Sequence, residues 1–182
     1  MKKLDYAVRL AVLAAGIGGA VMMVVAQDTS NTRKSFRTIL SGYQEVPAVF
    51  TKGAGEFQLT VDPQESKVAW ELEYDNLTST PTAAHIHFGR PGTNGGVVVF
   101  LCGGSKPACP PNKTKATGEF VGADVLAVQG ITAGALADLL QAIRAGATYV
   151  NVHTSTFPAG EIRGHIGRPA MAGSGGWEDD ED

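Results

Sequence analysis

Apolar and polar residues alternate along much of this chain, and a period of two predicts β-strands. In GEFQLTVD the side chains of Phe57, Leu59 and Val61 share one face, and in KVAWELEYD every second residue from Val68 onward does so. The turn DPQES joins these two segments as a hairpin. Two further strands are predicted in GGVVVFLCG, a β-branched run typical of a strand covered on both sides, and in TGEFVGADV.

The histidines occupy polar positions in three more alternating segments, AAHIHFG, YVNVH and EIRGHI. Apolar residues such as Ala84, Ile86, Val150 and Ile162 take the core positions, so the residues between them project from the opposite face. This outward set includes every histidine in the chain and three other polar residues: His85, His87, Asn151, His153, Glu161, Arg163 and His165.

One segment departs from the strand pattern. TAGALADLLQAIRAG has apolar residues at helical spacing, with Thr132 as the predicted N-cap and Gly146 as the predicted end of the helix. The apolar residues of this helix are Leu136, Leu139, Leu140 and Ile143. Short strands with one short connecting helix predict an all-β fold, a Greek-key sandwich or barrel, rather than a parallel α/β sheet.

The composition agrees with one folded domain of this class. The 182 residues are 43% hydrophobic, which is enough to form one core. The 23 glycines and 9 prolines are spread along the chain, as expected for turns between many short elements.

The first 26 residues have the pattern of a secretory signal peptide. Lys2, Lys3 and Arg9 precede an uncharged apolar run, and Val24 and Ala26 occupy the recognition positions of a cleavage site. An uncleaved membrane anchor is the alternative, because the run is only slightly shorter than a spanning helix requires. Cleavage predicts a secreted, periplasmic or cell-surface protein without a membrane partner.

These features divide the chain into four predicted regions. Residues 1–26 are the signal peptide, 27–35 a linker, and 36–167 the folded domain. Residues 168–182 form a Gly- and Ser-rich acidic tail that cannot bury enough apolar surface to fold. The whole chain has a formal net charge of −3, and signal cleavage would remove more basic than acidic residues. No basic patch is therefore expected, and nucleic acid is not an expected partner.

Cys102 and Cys109 enclose a short Gly/Pro loop in FLCGGSKPACPP. An exported protein favours a disulfide between them, provided that the loop turns back. A metal-binding cysteine pair is the alternative, but the spacing is not C-x-x-C and no histidine is close in sequence.

The H-x-H pair indicates chemistry beyond packing. His85 and His87 lie two positions apart on one strand face, ~6.6 Å between Cα atoms, so both can reach one metal ion. If the strand that contains His153 lies beside theirs, three imidazoles converge, and His165 on the next strand would be a fourth ligand. An all-nitrogen site suits zinc or copper(II), and the intrinsic affinity order favours copper. The alternative is that these histidines are plain solvated residues.

The segments LSGYQEVPAV, AAHIHFGRPGTNGGVVVFLCG and YVNVHTSTFPAGEIRGHI, in this order, resemble the chordin-type, or CHRD, domain. The resemblance covers about residues 36–167 and rests on three separated motifs. It implies a secreted β-sandwich, and it implies little about biochemistry. The growth-factor binding of animal chordin involves other modules and does not transfer to this single domain.

The histidine pattern is similar, more weakly, to that of copper/zinc superoxide dismutase, which is also a Greek-key β-sandwich. This resemblance implies that His85, His87 and His153 bind copper and that Arg163 guides anions. The chain departs from that enzyme in having no histidine-rich zinc loop, no bridging histidine and no long-range disulfide. Copper binding would therefore not establish dismutation.

Other polar motifs have structural interpretations. Glu45 and Pro47 in GYQEVPAV are predicted to lie on an edge strand, with a ligand contact by Glu45 as the alternative. Glu161 and Arg163 are predicted to form a surface ion pair, and GRPGTNGG is predicted to be a simple turn rather than an anion-binding loop. If a metal is bound, Asn151, Glu161 and Arg163 are the polar residues expected around its ligands.

The sequence supports two functions of different classes. The first is a secreted CHRD-domain protein that binds copper or zinc for storage, sensing or a modest redox role. The second is a structural or adhesive extracellular domain that contacts a protein partner or a second copy. Catalysis is not favoured, because the sequence contains no nucleophile elbow, phosphate loop or close pair of acids.

Overall fold

A computed structural model describes residues 34–112 and 115–167. The predicted signal peptide, the tail and most of the linker lie outside the described residues. The described part contains eight strands and one α-helix, which are β1 Ser35–Ser41, β2 Ala54–Val61, β3 Lys67–Asp75, β4 Pro81–Phe88, β5 Gly96–Cys102, β6 Lys115–Val121, α1 Leu136–Arg144, β7 Thr148–Thr154 and β8 Ile162–Ile166. Within those ranges, no helix is long and apolar enough to cross a membrane.

The eight strands form one antiparallel sheet in the order β5-β4-β7-β8-β1-β2-β3-β6. The sheet curls into a nearly closed barrel, and residues of both end strands, β5 and β6, line one cleft. Among these eight strands, three pairings join strands that are not consecutive in the chain, β3 with β6, β4 with β7 and β1 with β8, as in a Greek-key arrangement. The predicted all-β fold with one short helix is confirmed.

Alternate residues of the strands fill the barrel, as the sequence pattern predicts. Phe57, Leu59, Leu72 and Ile86 are fully or almost fully buried in one continuous core. The same core includes the apolar face of α1, which consists of Leu136, Leu139, Leu140 and Ile143. The strand and helix assignments of these segments are confirmed.

The helix begins later than predicted. Ala135, not Thr132, is the N-cap, because Gly134 has a positive φ of 86° that interrupts the helical path between Thr132 and Leu136. The predicted end is confirmed: Gly146, with φ 68°, follows the C-cap Ala145 and donates its backbone N–H to the carbonyl of Ile143.

The segment around Glu45 and Pro47 is not the predicted edge strand. β1 ends at Ser41, and a 3-10 turn over Gly42–Gln44 starts an irregular segment that continues to β2. The carbonyl of Gly42 accepts hydrogen bonds from the backbone N–H groups of both Glu45 and Val49, so the chain folds back on itself there. Gly42 permits this turn because a Cβ atom would lie 2.3 Å from the Val49 carbonyl oxygen.

The predicted disulfide is confirmed. Cys102, the last residue of β5, is bonded to Cys109, and their Cα atoms are 4.9 Å apart. The bond closes the Gly/Pro loop that follows this end strand of the sheet.

Candidate metal centre

Neighbouring strands bring three of the four histidines together. β4 pairs with β7, and the Cα partners of His85 and His87 are Asn151 and Tyr149, while His153 lies opposite Ala83. One nitrogen from each of His85, His87 and His153 lies within 4.8 Å of the others. The adjacency of their strands, on which the sequence argument depended, is therefore present.

The pairing of β4 with β5 is irregular around the H-x-H pair. Register shifts occur between Ala84 and His85 and again between Ile86 and His87. Such bulges bend a strand and change the direction of its side chains. Here they occur at both histidines that alternation alone had placed on one face.

The closest contact in the group joins His85 Nδ1 and His153 Nε2, at 3.1 Å. Two nitrogens that each lie about 2.0–2.1 Å from one tetrahedral zinc ion are separated by roughly 3.3 Å. The observed spacing therefore fits two ligands of one ion.

Backbone carbonyl groups determine the tautomers of two of these histidines. His87 Nδ1 lies 3.0 Å from the Gly95 carbonyl oxygen, and His153 Nδ1 lies 3.0 Å from that of Pro158. A carbonyl can only accept, so each Nδ1 carries the proton and each Nε2 presents its lone pair to the group. Metal-bound histidines are commonly oriented by hydrogen bonds of this kind.

The Nε2 atoms of His85 and His87 are buried and have no hydrogen-bond partner among the described residues. Buried polar atoms are normally satisfied, so two neighbouring exceptions require an explanation. A metal ion coordinated by His87 Nε2, His85 Nδ1 and His153 Nε2 would satisfy the His87 atom, and the residues present therefore fit a nitrogen-ligated ion. His85 Nε2 would not be satisfied by that ion, because its ring would bind through Nδ1.

The three imidazoles are neutral at pH 7. Burial, assisted by the nearby His153 and His87, lowers the pKa of His85 to about 3. Burial also lowers the pKa of His87 to about 4, although its hydrogen bond to Gly95 opposes the shift, and it lowers the pKa of His153. Neutral imidazoles can bind a metal without first losing a proton.

Aromatic rings enclose one side of the group. The ring of His87 stacks on that of Tyr149 with centroids 4.7 Å apart and planes within 5° of parallel. The ring of Phe100 lies edge-on to His85 at 4.5 Å. These contacts restrict the orientations available to both imidazoles.

His165, the fourth predicted ligand, lies outside the group of three. It is paired with Tyr149 on the neighbouring strand, and its ring centroid is 5.7 Å from that of Tyr149. Because Tyr149 also stacks on His87, its ring lies beside both histidines. The structure therefore assembles three imidazoles rather than four.

The outward faces of β7 and β8 are covered rather than solvated. Glu161 and Arg163 are both 0% exposed, so the predicted surface ion pair is wrong. The Glu161 carboxylate accepts hydrogen bonds from the hydroxyl groups of Thr51, Thr78 and Thr154 and from the backbone N–H of Thr78. Arg163 lies in β8, on the side of the Tyr149 ring, whereas Glu161 precedes that strand. Segments from distant parts of the chain cover both side chains.

Arg163 is held by the loop that connects β4 and β5, residues 89–95. Its Nη1 donates to Asn94 Oδ1 at 3.0 Å and its Nη2 donates to the Thr93 carbonyl. Its guanidinium lies 3.4 Å from the centroid of the Tyr149 ring. The loop GRPGTNGG is therefore more than the predicted simple turn. An anion-guiding role for Arg163 requires solvent access that this burial does not provide.

Asn151 connects the site to the E-V-P segment. Its Nδ2 donates to Glu45 Oε1, and burial raises the pKa of Glu45 to about 7, against the opposing effects of Arg163 and this hydrogen bond. Asn94 Nδ2 donates to the Val46 carbonyl at 3.0 Å. The E-V-P segment, the glycine-rich loop, and the strands β7 and β8 therefore meet in one polar network beside the histidines.

Sequence reasoning missed the groups that orient the histidines. Gly95 and Pro158 act through their carbonyl oxygens, which every residue type has, so their identity gives no direct signal. Only their position could have indicated this role. Each lies in a short Gly- or Pro-containing loop that follows a histidine-bearing strand, where a carbonyl can reach the imidazole.

Comparison with known protein families identifies the region that contains these segments. A family model, described as the CHRD domain, matches residues 36–166. The chain belongs to the CHRD domain family. The three motifs that carried the resemblance all lie within the matched range. No curated protein and no solved structure gives a significant match, so the similarity to superoxide dismutase rests on the histidine pattern alone.

Proposed function

We propose that this CHRD domain binds one metal ion, copper or zinc, through His85, His87 and His153. The observation that carries the proposal is the convergence of three neutral imidazoles, two buried and one half-buried, of which two are oriented by backbone carbonyl groups. The nitrogen donor set suits both ions, and the affinity order of divalent metals favours copper. Storage or sensing of the metal requires no further group from the protein.

A redox role would need an open coordination position and a charged approach to the ion. Three imidazoles leave a fourth position for a small ligand. Arg163, the cation that the resemblance to superoxide dismutase suggested for such an approach, is buried against residues 89–95. We therefore propose metal binding as the primary function and do not assign a reaction to the site.

We further propose that the protein functions outside the cytoplasm. The Cys102–Cys109 disulfide fits an oxidising compartment. Together with the signal-like pattern of residues 1–26, it supports secretion or attachment at the cell surface.

A second candidate function is a protein-interaction domain. The side chains of Tyr43 and Phe50 are 69% and 87% exposed and lie edge to face, 6.5 Å apart, in the segment between β1 and β2. Exposed aromatic residues are typical of binding surfaces. If this function holds, Tyr43→Ser/Phe50→Ser abolishes association with a partner or a second copy, and loss of the histidines leaves it intact.

The decisive experiment is titration of the purified protein with copper and zinc, followed by metal analysis and copper electron paramagnetic resonance. We expect one equivalent of tightly bound metal with a nitrogen-rich copper spectrum. The His85→Ala/His87→Ala variant should lose this binding. His165→Ala, which removes the buried histidine outside the group, is the control for stoichiometry and should still bind one equivalent. Its affinity is not the criterion, because His165 lies beside Tyr149 and Arg163.

Circular dichroism of each variant establishes that the barrel remains folded. Equally weak binding by the wild type and the double variant would rule out the metal site. The interaction function would then be the remaining candidate.

A further inference from the structure

His87 takes its orientation from the loop of residues 89–95, here named the covering loop. The Gly95 carbonyl at the end of this loop lies 3.0 Å from His87 Nδ1. A Cβ atom at Gly95 would lie 1.8 Å from the Phe88 carbonyl oxygen, so the loop requires glycine at this point. The position of one peptide group therefore determines which nitrogen of His87 is available to a metal.

Tyr149 contacts both backbone polar groups of Gly95. The backbone N–H of Gly95 donates to the Tyr149 hydroxyl oxygen at 3.2 Å, and this hydroxyl lies 3.4 Å from the Gly95 carbonyl oxygen. The ring of Tyr149 also stacks on the His87 ring. One side chain thus contacts both the imidazole and the group that orients it.

Arg163 contacts the residues that immediately precede Gly95. Its guanidinium donates to the Thr93 carbonyl and to Asn94 Oδ1 while lying over the Tyr149 ring. Burying a cation is costly unless its contacts compensate. Arg163 Nη2 also lies 3.5 Å from His165 Nε2, and none of these contacts is with the three histidines of the group.

We propose that Arg163 and Tyr149 are positioning residues of the metal centre, which hold the covering loop so that the Gly95 carbonyl keeps the proton of His87 on Nδ1. The inference rests on the proposed metal-binding function. Release of the loop would leave His87 free to adopt the other tautomer or to rotate. Loss of such a supporting contact typically weakens metal affinity 10- to 100-fold.

The direction in which metal affinity changes when Arg163 is replaced distinguishes a positioning role from an effect of its charge. Arg163 is a positive charge on the far side of Tyr149 from His87, so its charge alone opposes binding of a cation. Removing only a repulsive charge would strengthen metal binding. Removing a positioning residue weakens it.

The test uses Arg163→Gln and Tyr149→Phe in the full chain, with Arg144→Gln as the matched control. Arg144 also has a largely buried side chain, 8% exposed, but its guanidinium pairs with Glu65 at 2.8 Å and not with any histidine. The first readout is the tautomer of His87 in the metal-free protein, measured from imidazole ¹⁵N chemical shifts. The second is copper affinity, measured by competition with a chelator.

We expect His87 to be protonated at Nδ1 in the wild type and in Arg144→Gln, and to populate both tautomers in Arg163→Gln and Tyr149→Phe. Copper affinity should fall at least about tenfold in Arg163→Gln. An unchanged tautomer, or affinity equal to or tighter than the wild type, would overturn the proposal. If Arg163→Gln fails to fold, the tautomer in Tyr149→Phe, which lacks only one hydroxyl group, decides the question.

The two proposals can fail separately. A wild-type protein that binds no metal contradicts the proposed function, and the tautomer measurement still tests whether Arg163 and Tyr149 orient His87. If the wild type binds metal and Arg163→Gln binds it equally tightly, only the positioning role is contradicted.

Discussion

The pKa values of His85, His87 and Glu45 differ from those of the same residue types in water. His85 and His87 are neutral far below their usual pH range, and Glu45 keeps its proton up to about pH 7. Burial is the largest cause in each case, because a low-dielectric environment disfavours the charged form of acids and bases alike. Burial thus keeps the imidazoles in the neutral form that binds a metal, and it raises the pKa of Glu45.

Glu45 should make the protein less stable as pH rises. Its pKa is about 7 in the folded state against an ordinary value of 4.5, so the folded state binds the proton more tightly. Its contribution to stability is fully present below pH 4.5 and is lost as pH rises to about 7. We expect Glu45→Gln to remove this dependence, which is on the order of 1–3 kcal/mol over that range.

The measurement is the free energy of unfolding by denaturant for both proteins between pH 4.5 and 8. The difference between the two curves isolates Glu45, because the histidines titrate in both proteins. A difference that does not change with pH would show that Glu45 is ionised throughout.

At the scale of elements, two adjacent strands and one loop create the site. β4 supplies His85 and His87, β7 supplies His153, and the covering loop supplies the carbonyl that orients His87. The loop is anchored at several points, including the hydrogen bond from the Gly89 backbone N–H to the Ala147 carbonyl. The strands therefore place the three ligands, and the covering loop selects the donor atom of His87.

Gly95→Ala should damage the site more than Gly92→Ala in the same loop. The added methyl group at Gly95 would collide with the Phe88 carbonyl, whereas at Gly92 it meets nothing within 4 Å and only the positive φ of 75° opposes it. We expect Gly92→Ala to cost about 1 kcal/mol of stability and Gly95→Ala about 2–3 kcal/mol. Gly95→Ala should also weaken copper binding.

Thermal unfolding and copper competition assays test both variants side by side. Equal effects of the two substitutions on both measurements would show that the Gly95 peptide has no special role in holding the loop.

At the scale of the whole molecule, the barrel does not close by strand pairing. β5 and β6 are the two ends of the sheet, and the disulfide joins the end of β5 to the loop that leads towards β6. A disulfide stabilises mainly by restricting the unfolded chain, and a loop this short yields a modest effect.

The Cys102→Ser/Cys109→Ser variant should therefore lose roughly 2–3 kcal/mol of stability and retain the fold. Denaturant unfolding of the oxidised wild type and of the variant gives the difference. The wild type in reductant is the matched control and should resemble the variant. A variant as stable as the oxidised wild type would show that the bond does not restrain the unfolded chain.

The fold class, most strands, the helix and the disulfide could be predicted from the amino-acid sequence. These depend on local features: the side-chain period along a strand, the helical spacing of leucines, and cysteines seven residues apart. The sequence also placed His85 and His87 on one strand face. The strand β1 and the irregular path at Glu45 were not predicted. The path at Glu45 depends on hydrogen bonds to the Gly42 carbonyl, and β1 depends on pairing with β2 and β8.

Which histidines meet, and what surrounds them, depends on contacts between segments that are distant in sequence. The pairing of β4 with β7 joins His153 to the H-x-H pair, while Tyr149 lies beside His165 and that histidine stays outside the group. Burial of Arg163 and Glu161 comes from loops distant in sequence, so alternation had wrongly indicated a solvated face. Alternation specifies on which side of a sheet a residue lies, and long-range packing decides whether water or protein covers that side.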